Sequence, residues 1–316
     1  MCVLPKPNVI LTHESDLDGL VSGLLLQRLA RKLFAEEIRL EAWHTHAWQN
    51  RPLDEPAAWV ADFSFDARMD RPNWVVFDHH PASAQPVHAR LIHDPGKSAG
   101  RLCYDLCCAN GLQSDALDRL VQLNDVADLF LHEHADFELA SDYASLVKAY
   151  HFWNLHEVIG GELERLLDHP LLEVMATRRR VENPLGLECS RRSLQPLTPE
   201  IAYVPVVVGN PNQIVNELLY NGAGHFSTLM TLARRGNGLV VASLRSRNGE
   251  ALAVAGKLQG GGHPDAAGAT LPRNIRSIPD ALDYLRRVLA PPTANPPCIT
   301  GMAGLLETFD NGLKAG

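Results

Sequence analysis

The sequence predicts an α/β protein: a mostly parallel sheet with helices on both faces, then a helical segment and a smaller α+β C-terminal domain. Three observations carry this. Short β-like runs alternate with amphipathic stretches early in the chain, the pattern of βαβ crossovers. After Asp78 the apolar spacing changes to three and four, the period of helices that bury one face. The chain has 316 residues, 46% of them hydrophobic, enough for two cores rather than one.

Strands are predicted at 8–12, 38–44, 57–62 and 73–78. Val9-Ile10-Leu11 and Trp74-Val75-Val76-Phe77 are unbroken apolar runs, as expected of strands covered on both sides. Between the first two strands, 17–34 reads as a covering helix, with Leu20, Val21, Leu24, Leu25 and Leu29 on one side and Arg28, Arg31 and Lys32 on the other. Helices follow at 98–109, 114–130, 141–154 and 160–180 with no strand between them. At the start of the first, Lys97 and Ser98 are placed to offer donors, Ser98 foremost as an N-cap. Periodicity fails near 183, and Pro184, Pro196, Pro199 and Pro205 suggest a linker. The expected layout is a first domain at 1–182, a linker at 183–204, a second domain at 205–292 and a tail at 293–316. The second domain reads as a strand at 204–209, a helix at 213–220, strands at 226–233 and 239–245, and a glycine-rich turn from Gly260.

The formal net charge of -8 argues against non-specific binding of duplex DNA, which needs excess Lys and Arg to displace counterions. Six cysteines without a CxxC pair read as reduced thiols. No signal-like start and no membrane-length apolar stretch is present, so no membrane association and a cytoplasmic location are expected.

Two clusters of metal-ligand side chains stand at strand ends. His13-Glu14-Ser15-Asp16-Leu17-Asp18 follows the first strand and Asp78-His79-His80 closes the fourth, while Asp62 ends the third. An N-cap explains one acid after a strand, and Asp16 or Ser15 fits that role. It does not explain a histidine and several carboxylates converging on one sheet edge, where they repel unless a cation satisfies them. A dinuclear divalent-metal site is the expected chemistry, with Asp62 as the bridging carboxylate. His44-x-His46 reads as a polar strand face rather than a second metal site.

His13-x-x-Asp16-x-Asp18-Gly19, Asp62, Asp78-His79-His80 and Val126-Ala127-Asp128 resemble the four motifs of the DHH phosphoesterase superfamily. That family includes nanoRNases, 3′-phosphoadenosine phosphate phosphatases, cyclic-dinucleotide phosphodiesterases, 5′ single-strand DNA exonucleases, exopolyphosphatases and some pyrophosphatases. The resemblance implies His13 and Asp16 on one manganese ion, Asp18, His79 and Asp128 on a second, and Asp62 between them. Asp78 and His80 then stand behind the ligands, His80 toward a substrate phosphate. Asp125, one helical turn before Asp128, is an alternative ligand. His13 lies closer to Asp16, by one residue, than in many members. Mixed carboxylate and imidazole donors suit Mn²⁺, with Mg²⁺ or Co²⁺ as substitutes. The expected chemistry is hydrolysis of a phosphoester by a hydroxide generated between the ions.

In the second domain, Ser243-Leu244-Arg245-Ser246-Arg247 and Gly260-Gly261-Gly262-His263 resemble the DHH-associated substrate-binding domain, with Gln259 where the parent pattern often has a further glycine. The resemblance places Arg245, Ser246, Arg247, Gly261, Gly262 and His263 at the substrate. Short nucleotides are the expected substrates: nanoRNA, linear dinucleotides or 3′-phosphoadenosine phosphate. A 5′ single-strand DNA exonuclease and a non-catalytic nucleotide-binding protein are the alternatives. Pairing into a homodimer is left open.

Overall fold

The computed structural model describes residues 4–222 and 224–290. The proline-rich stretch at 291–297 and the predicted tail lie outside these. The chain divides into two compact units, one holding the residues up to Gly186 with Val208–Asn210, the other Leu187–Val207 and the residues from Pro211.

The first unit is built on a five-stranded, all-parallel sheet of β1 (Val9–His13), β2 (Arg39–Trp43), β3 (Ala58–Ala61), β4 (Trp74–Asp78) and β5 (Arg90–His93), in the order β2-β1-β3-β4-β5. Both faces are covered. Ile10, Trp59, Ala61, Val75 and Phe77 point into a core shared with the helices α1 (Leu17–Phe34), α3 (Ala99–Ala109), α4 (Asp115–Asp128), α5 (Phe137–Tyr150) and α6 (Phe152–Ile159). Val9, Leu11, Ala58, Val60, Trp74 and Val76 face the opposite way, onto Trp48 of the short α2 (Thr45–Asn50), Phe63, Phe65 and Met69. The alternation explains why the strands read as continuous apolar runs. The direction of strand order reverses at β1, so the carboxyl ends of β1 and β3 flank the switch point where open α/β sheets bind ligands.

Several boundaries differ from expectation. β5 has no counterpart among the predicted strands: it is a four-residue edge strand with only Leu91 and Ile92 apolar, too short to show a period. The helix predicted at 141–154 is two helices, α5 and α6, broken at His151, whose φ is 66°. The one expected from 160 begins later, as α7 (Leu171–Arg192), after a 3-10 turn at Leu163–Leu166. α7 continues through Pro184, so the expected linker at 183–204 contains its last turns and the strands β6 (Gln195–Pro196) and β7 (Ile201–Tyr203). β2 stops at Trp43; His44 caps α2 and His46 lies within it, so they do not share a strand face.

The second unit carries a six-stranded mixed sheet, β10-β11-β9-β8-β7-β6, with β8 (Thr228–Arg234), β9 (Val240–Ser246), β10 (Gly261–Gly262) and β11 (Ala266–Thr270). α8 (Pro211–Asn221), α9 (Ala251–Lys257) and α10 (Ile278–Leu289) accompany it. The strand expected at 204–209 is instead β7, immediately upstream. Cys103, Cys107, Cys108 and Cys189 are free thiols. No helix among the described residues is long and apolar enough to cross a membrane.

Candidate functional site

β1 delivers His13 to the edge of the sheet, and Gly19 lets α1 begin against it. A side chain at Gly19 would put its first carbon 1.9 Å from the His13 carbonyl oxygen, so only glycine permits this approach. The Thr12 hydroxyl donates to the Gly19 carbonyl at 2.6 Å, tying strand to helix. Asp16 does two things. One carboxylate oxygen accepts from the Gly19 N–H at 3.0 Å as the N-cap of α1, and the other lies 2.7 Å from Nδ1 of His13.

Asp62 follows β3 in a left-handed conformation, φ 59°, held there by its N–H donating to the Phe77 carbonyl at 3.0 Å. Left-handed backbone is uncommon outside glycine, and Asp and Asn tolerate it best. Asp78 closes β4 and is wholly buried; one of its oxygens meets Nδ1 of His80 at 2.9 Å. Asp128 is the last residue of α4.

The structure brings these residues together. Among the described residues, metal-type donor atoms gather within 4.8 Å in three groups: His13, Asp16 and Asp62; Asp18, His79 and Asp128; and Asp62, His79 and His80. Asp62 and His79 each belong to two groups. Nε2 of His79 is 3.2 Å from Asp128 and 3.9 Å from Asp62, and Nδ1 of His13 is 3.5 Å from Asp62. Asp125 is not among them: its carboxylate accepts from the Ser98 N–H and hydroxyl and from Arg101 Nε.

The electrostatics favour a cation. Burial, with the neighbouring Asp16 and Asp18, pushes the Asp62 carboxyl well above its ordinary value; burial and the surrounding aspartates do the same to Asp128. Burial raises Asp18 to about 6, against the hydrogen bonds that steady its anion. His13 moves to about 11: burial alone would lower it, but Asp16 and Asp62 outweigh that. Crowded carboxylates hold protons because nothing else neutralises them. In addition, Oδ2 of Asp62 and Oδ2 of Asp128 are buried without a hydrogen bond. A buried acceptor left so costs about 1–3 kcal/mol, more when charged, unless an ion satisfies it. The donor set therefore fits divalent cations.

Sequence reasoning missed the support behind Asp18. Its carboxylate accepts from the N–H groups of Ala99 (2.8 Å) and Gly100 (2.7 Å), at the start of α3, and from Nδ2 of Asn124 (2.6 Å). The helix start thus holds an internal carboxylate as its anion. Ser98 is the N-cap, as expected, but Lys97 pairs with Asp105 at 2.8 Å and not with the helix end. Gly100 leaves room for this arrangement, since a side chain there would meet Asn124 Nδ2 at 2.7 Å. A lone Asn within an apolar helical face was the available signal.

In the second unit, Arg245 lies half-buried on β9, its guanidinium driven below its ordinary value by burial. Ser246 and Arg247 have local tasks. The Ser246 hydroxyl accepts from the Ala251 N–H and donates to the Pro264 carbonyl; Arg247 Nη2 donates to the carbonyls of Gly224 and Phe226. His263 follows β10 and exchanges backbone hydrogen bonds with Ala266. Gly260 and Gly262 are packed against the backbone of β11, a side-chain carbon falling 2.1 Å from the Gly268 carbonyl oxygen and 2.6 Å from that of Ala266, whereas Gly261 faces open space. Gln259 adopts φ 59°, the left-handed region that glycine suits best.

Residues 207–290 match the DHHA1 domain family. No curated protein sequence matches the chain. Among solved structures, the pGpG-specific phosphodiesterase PggH from Vibrio cholerae is similar over 89% of this chain and 97% of its own, at 17% identity and a TM-score of 0.53. RecJ from Thermus thermophilus, solved with Mn²⁺, is similar over 88% of this chain and 52% of its own, at 17% identity and a TM-score of 0.50. Residues 207–290 thus belong to a DHHA1 domain, and the chain shares its fold with PggH and RecJ.

Proposed function

We propose that the protein is a Mn²⁺-dependent phosphoesterase that hydrolyses short nucleotides. The observation that carries this reading is the set of three interlocking donor groups sharing Asp62 and His79, with buried carboxylate oxygens of Asp62 and Asp128 that face the imidazoles of His13 and His79 without hydrogen-bond geometry. His13, Asp16 and Asp62 would hold one ion, and Asp18, His79, Asp128 and Asp62 the other. A pair of divalent cations supplies Lewis acidity to a phosphate oxygen and lowers the pKa of water. The chain's own residues do the rest. Asp78 fixes the His80 ring at 2.9 Å and raises its affinity for a proton against the effect of burial, so His80 is suited to donate to a phosphate oxygen. Ala99, Gly100 and Asn124 fix the orientation of Asp18. In the second unit Arg245, the His263 ring and the backbone at Gly261 are suited to hold a nucleotide phosphate; Ser246 supports that loop through the Pro264 carbonyl, and Arg247 holds the carbonyls of Gly224 and Phe226.

The likeness to a pGpG-specific phosphodiesterase supports a short linear substrate, and the net charge of -8 agrees, since a long polyanion is not attracted. A second reading, 5′ exonuclease action on single-stranded DNA, is favoured by Val126-Ala127-Asp128, which resembles the motif of that branch of the superfamily. Turnover with Mn²⁺ on pGpG, short RNAs, 3′-phosphoadenosine phosphate and a labelled long single strand separates them. Fastest turnover on two- to five-nucleotide substrates is expected. Preference for the long strand would defeat this choice, and nucleotide binding without any hydrolysis would point to a sensor.

A further inference from the structure

His13 presents its two ring nitrogens to different partners. Nδ1 faces Asp16 at 2.7 Å and Asp62 at 3.5 Å, while Nε2 lies 3.1 Å from the hydroxyl of Thr45. We propose that Thr45 is the positioning residue for His13, accepting the Nε2 proton so that the Nδ1 lone pair is turned toward the cation site. The inference rests on the metal reading given above. An imidazole ligates only through a nitrogen without a proton, and the hydrogen bond made by the other nitrogen decides which one that is.

The sheet and the packing under α2 make this contact a built one. Trp43 of β2 is the register partner of His13, and the Glu14 N–H donates to its carbonyl at 3.1 Å, so the chain two residues on, at Thr45, must pass beside the His13 ring. α2 is held at its far end by Arg68 Nη1, which donates to the carbonyls of Trp48 and Gln49 at 3.1 and 3.0 Å. Trp48 is buried and stacks on Phe63 with ring centroids 4.2 Å apart. Phe63, next to Asp62, meets the His13 ring edge-on at 5.5 Å. The helix that supplies the hydroxyl and the ring that backs His13 are therefore one packed assembly. Thr45 itself is exposed, and its replacement removes no core contact.

The test is Mn²⁺ binding by the full chain, read from the electron paramagnetic resonance of free Mn²⁺, for wild type, Thr45→Val and Thr45→Ser, each with His13 and with His13→Ala. Thr45→Val is expected to weaken one of two binding steps by about 10- to 100-fold, the usual effect of losing a hydrogen bond behind a metal ligand. Thr45→Ser should restore it, and Thr45→Val should change nothing further once His13 is alanine. Equal binding of both ions by wild type and Thr45→Val overturns the role of Thr45 alone. So does a Thr45→Val effect that persists undiminished beside His13→Ala. Wild-type protein that takes up no Mn²⁺ overturns the metal reading and this inference with it.

Discussion

Asp62 is the residue at which backbone and charge are both under constraint. It is buried, shared between two donor groups, and left-handed at φ 59°. Alanine there would confound two effects, since it removes the carboxylate and also strains the backbone by about 1–2 kcal/mol. Asn accepts the left-handed region and lacks only the charge. Asp62→Asn should lower Mn²⁺-dependent turnover by about 10²-fold or more while the metal-free protein melts no lower than wild type, because a crowded buried carboxylate has been removed. Near-normal turnover in that variant, followed on a labelled dinucleotide, would sink the assignment. Asp62 was legible in the sequence because it ends an apolar run, as His13 and Asp78 do. Asn124 and Thr45 were not. Each is a single polar residue in an ordinary local setting, and their partners Asp18 and His13 lie 106 and 32 positions away.

At the scale of elements, strands covered on both faces announced themselves as apolar runs, and two helix starts were readable from Asp16 and Ser98, which both cap. What could not be read were elements made by partners rather than by pattern. β5 exists through its pairing with β4, and β10 is two glycines laid against β11. That glycine turn permits a division of roles. Gly260 is fixed by packing, so Gly260→Ala should destabilise the second unit by about 1–3 kcal/mol, the range for forcing atoms into a packed site. Gly261→Ala meets open space and should leave the urea midpoint unchanged. If it nonetheless raises KM for a dinucleotide with kcat preserved, the backbone at Gly261 approaches the substrate; unchanged KM would remove it from the phosphate site.

For the whole molecule, the concentration of acidic groups at one sheet edge ties stability to pH and to metal. Asp18 titrates near 6 when folded, through burial, against about 3.9 in an unfolded chain. The folded state then binds more protons across that interval, so stability must fall as pH rises from about 4 to 6. Asp62 and Asp128, raised in the same direction, prolong the decline above that window. Calorimetry on chelator-treated protein should therefore show a lower Tm at pH 7.5 than at pH 5, and Mn²⁺ should raise Tm more at pH 7.5, where fewer protons have to be displaced. A metal-free Tm that climbs over this range would contradict the charge arrangement described.

Asp62 has one further consequence. Because a single carboxylate serves both the His13 side and the His79 side, the two sides cannot be filled as independent sites. Whatever ionises and orients Asp62 from one side changes what is met from the other, and by reciprocity the influence is equal in both directions. Loss of a ligand on one side, as in His13→Ala, should therefore shift the Mn²⁺ affinity of the other side as well.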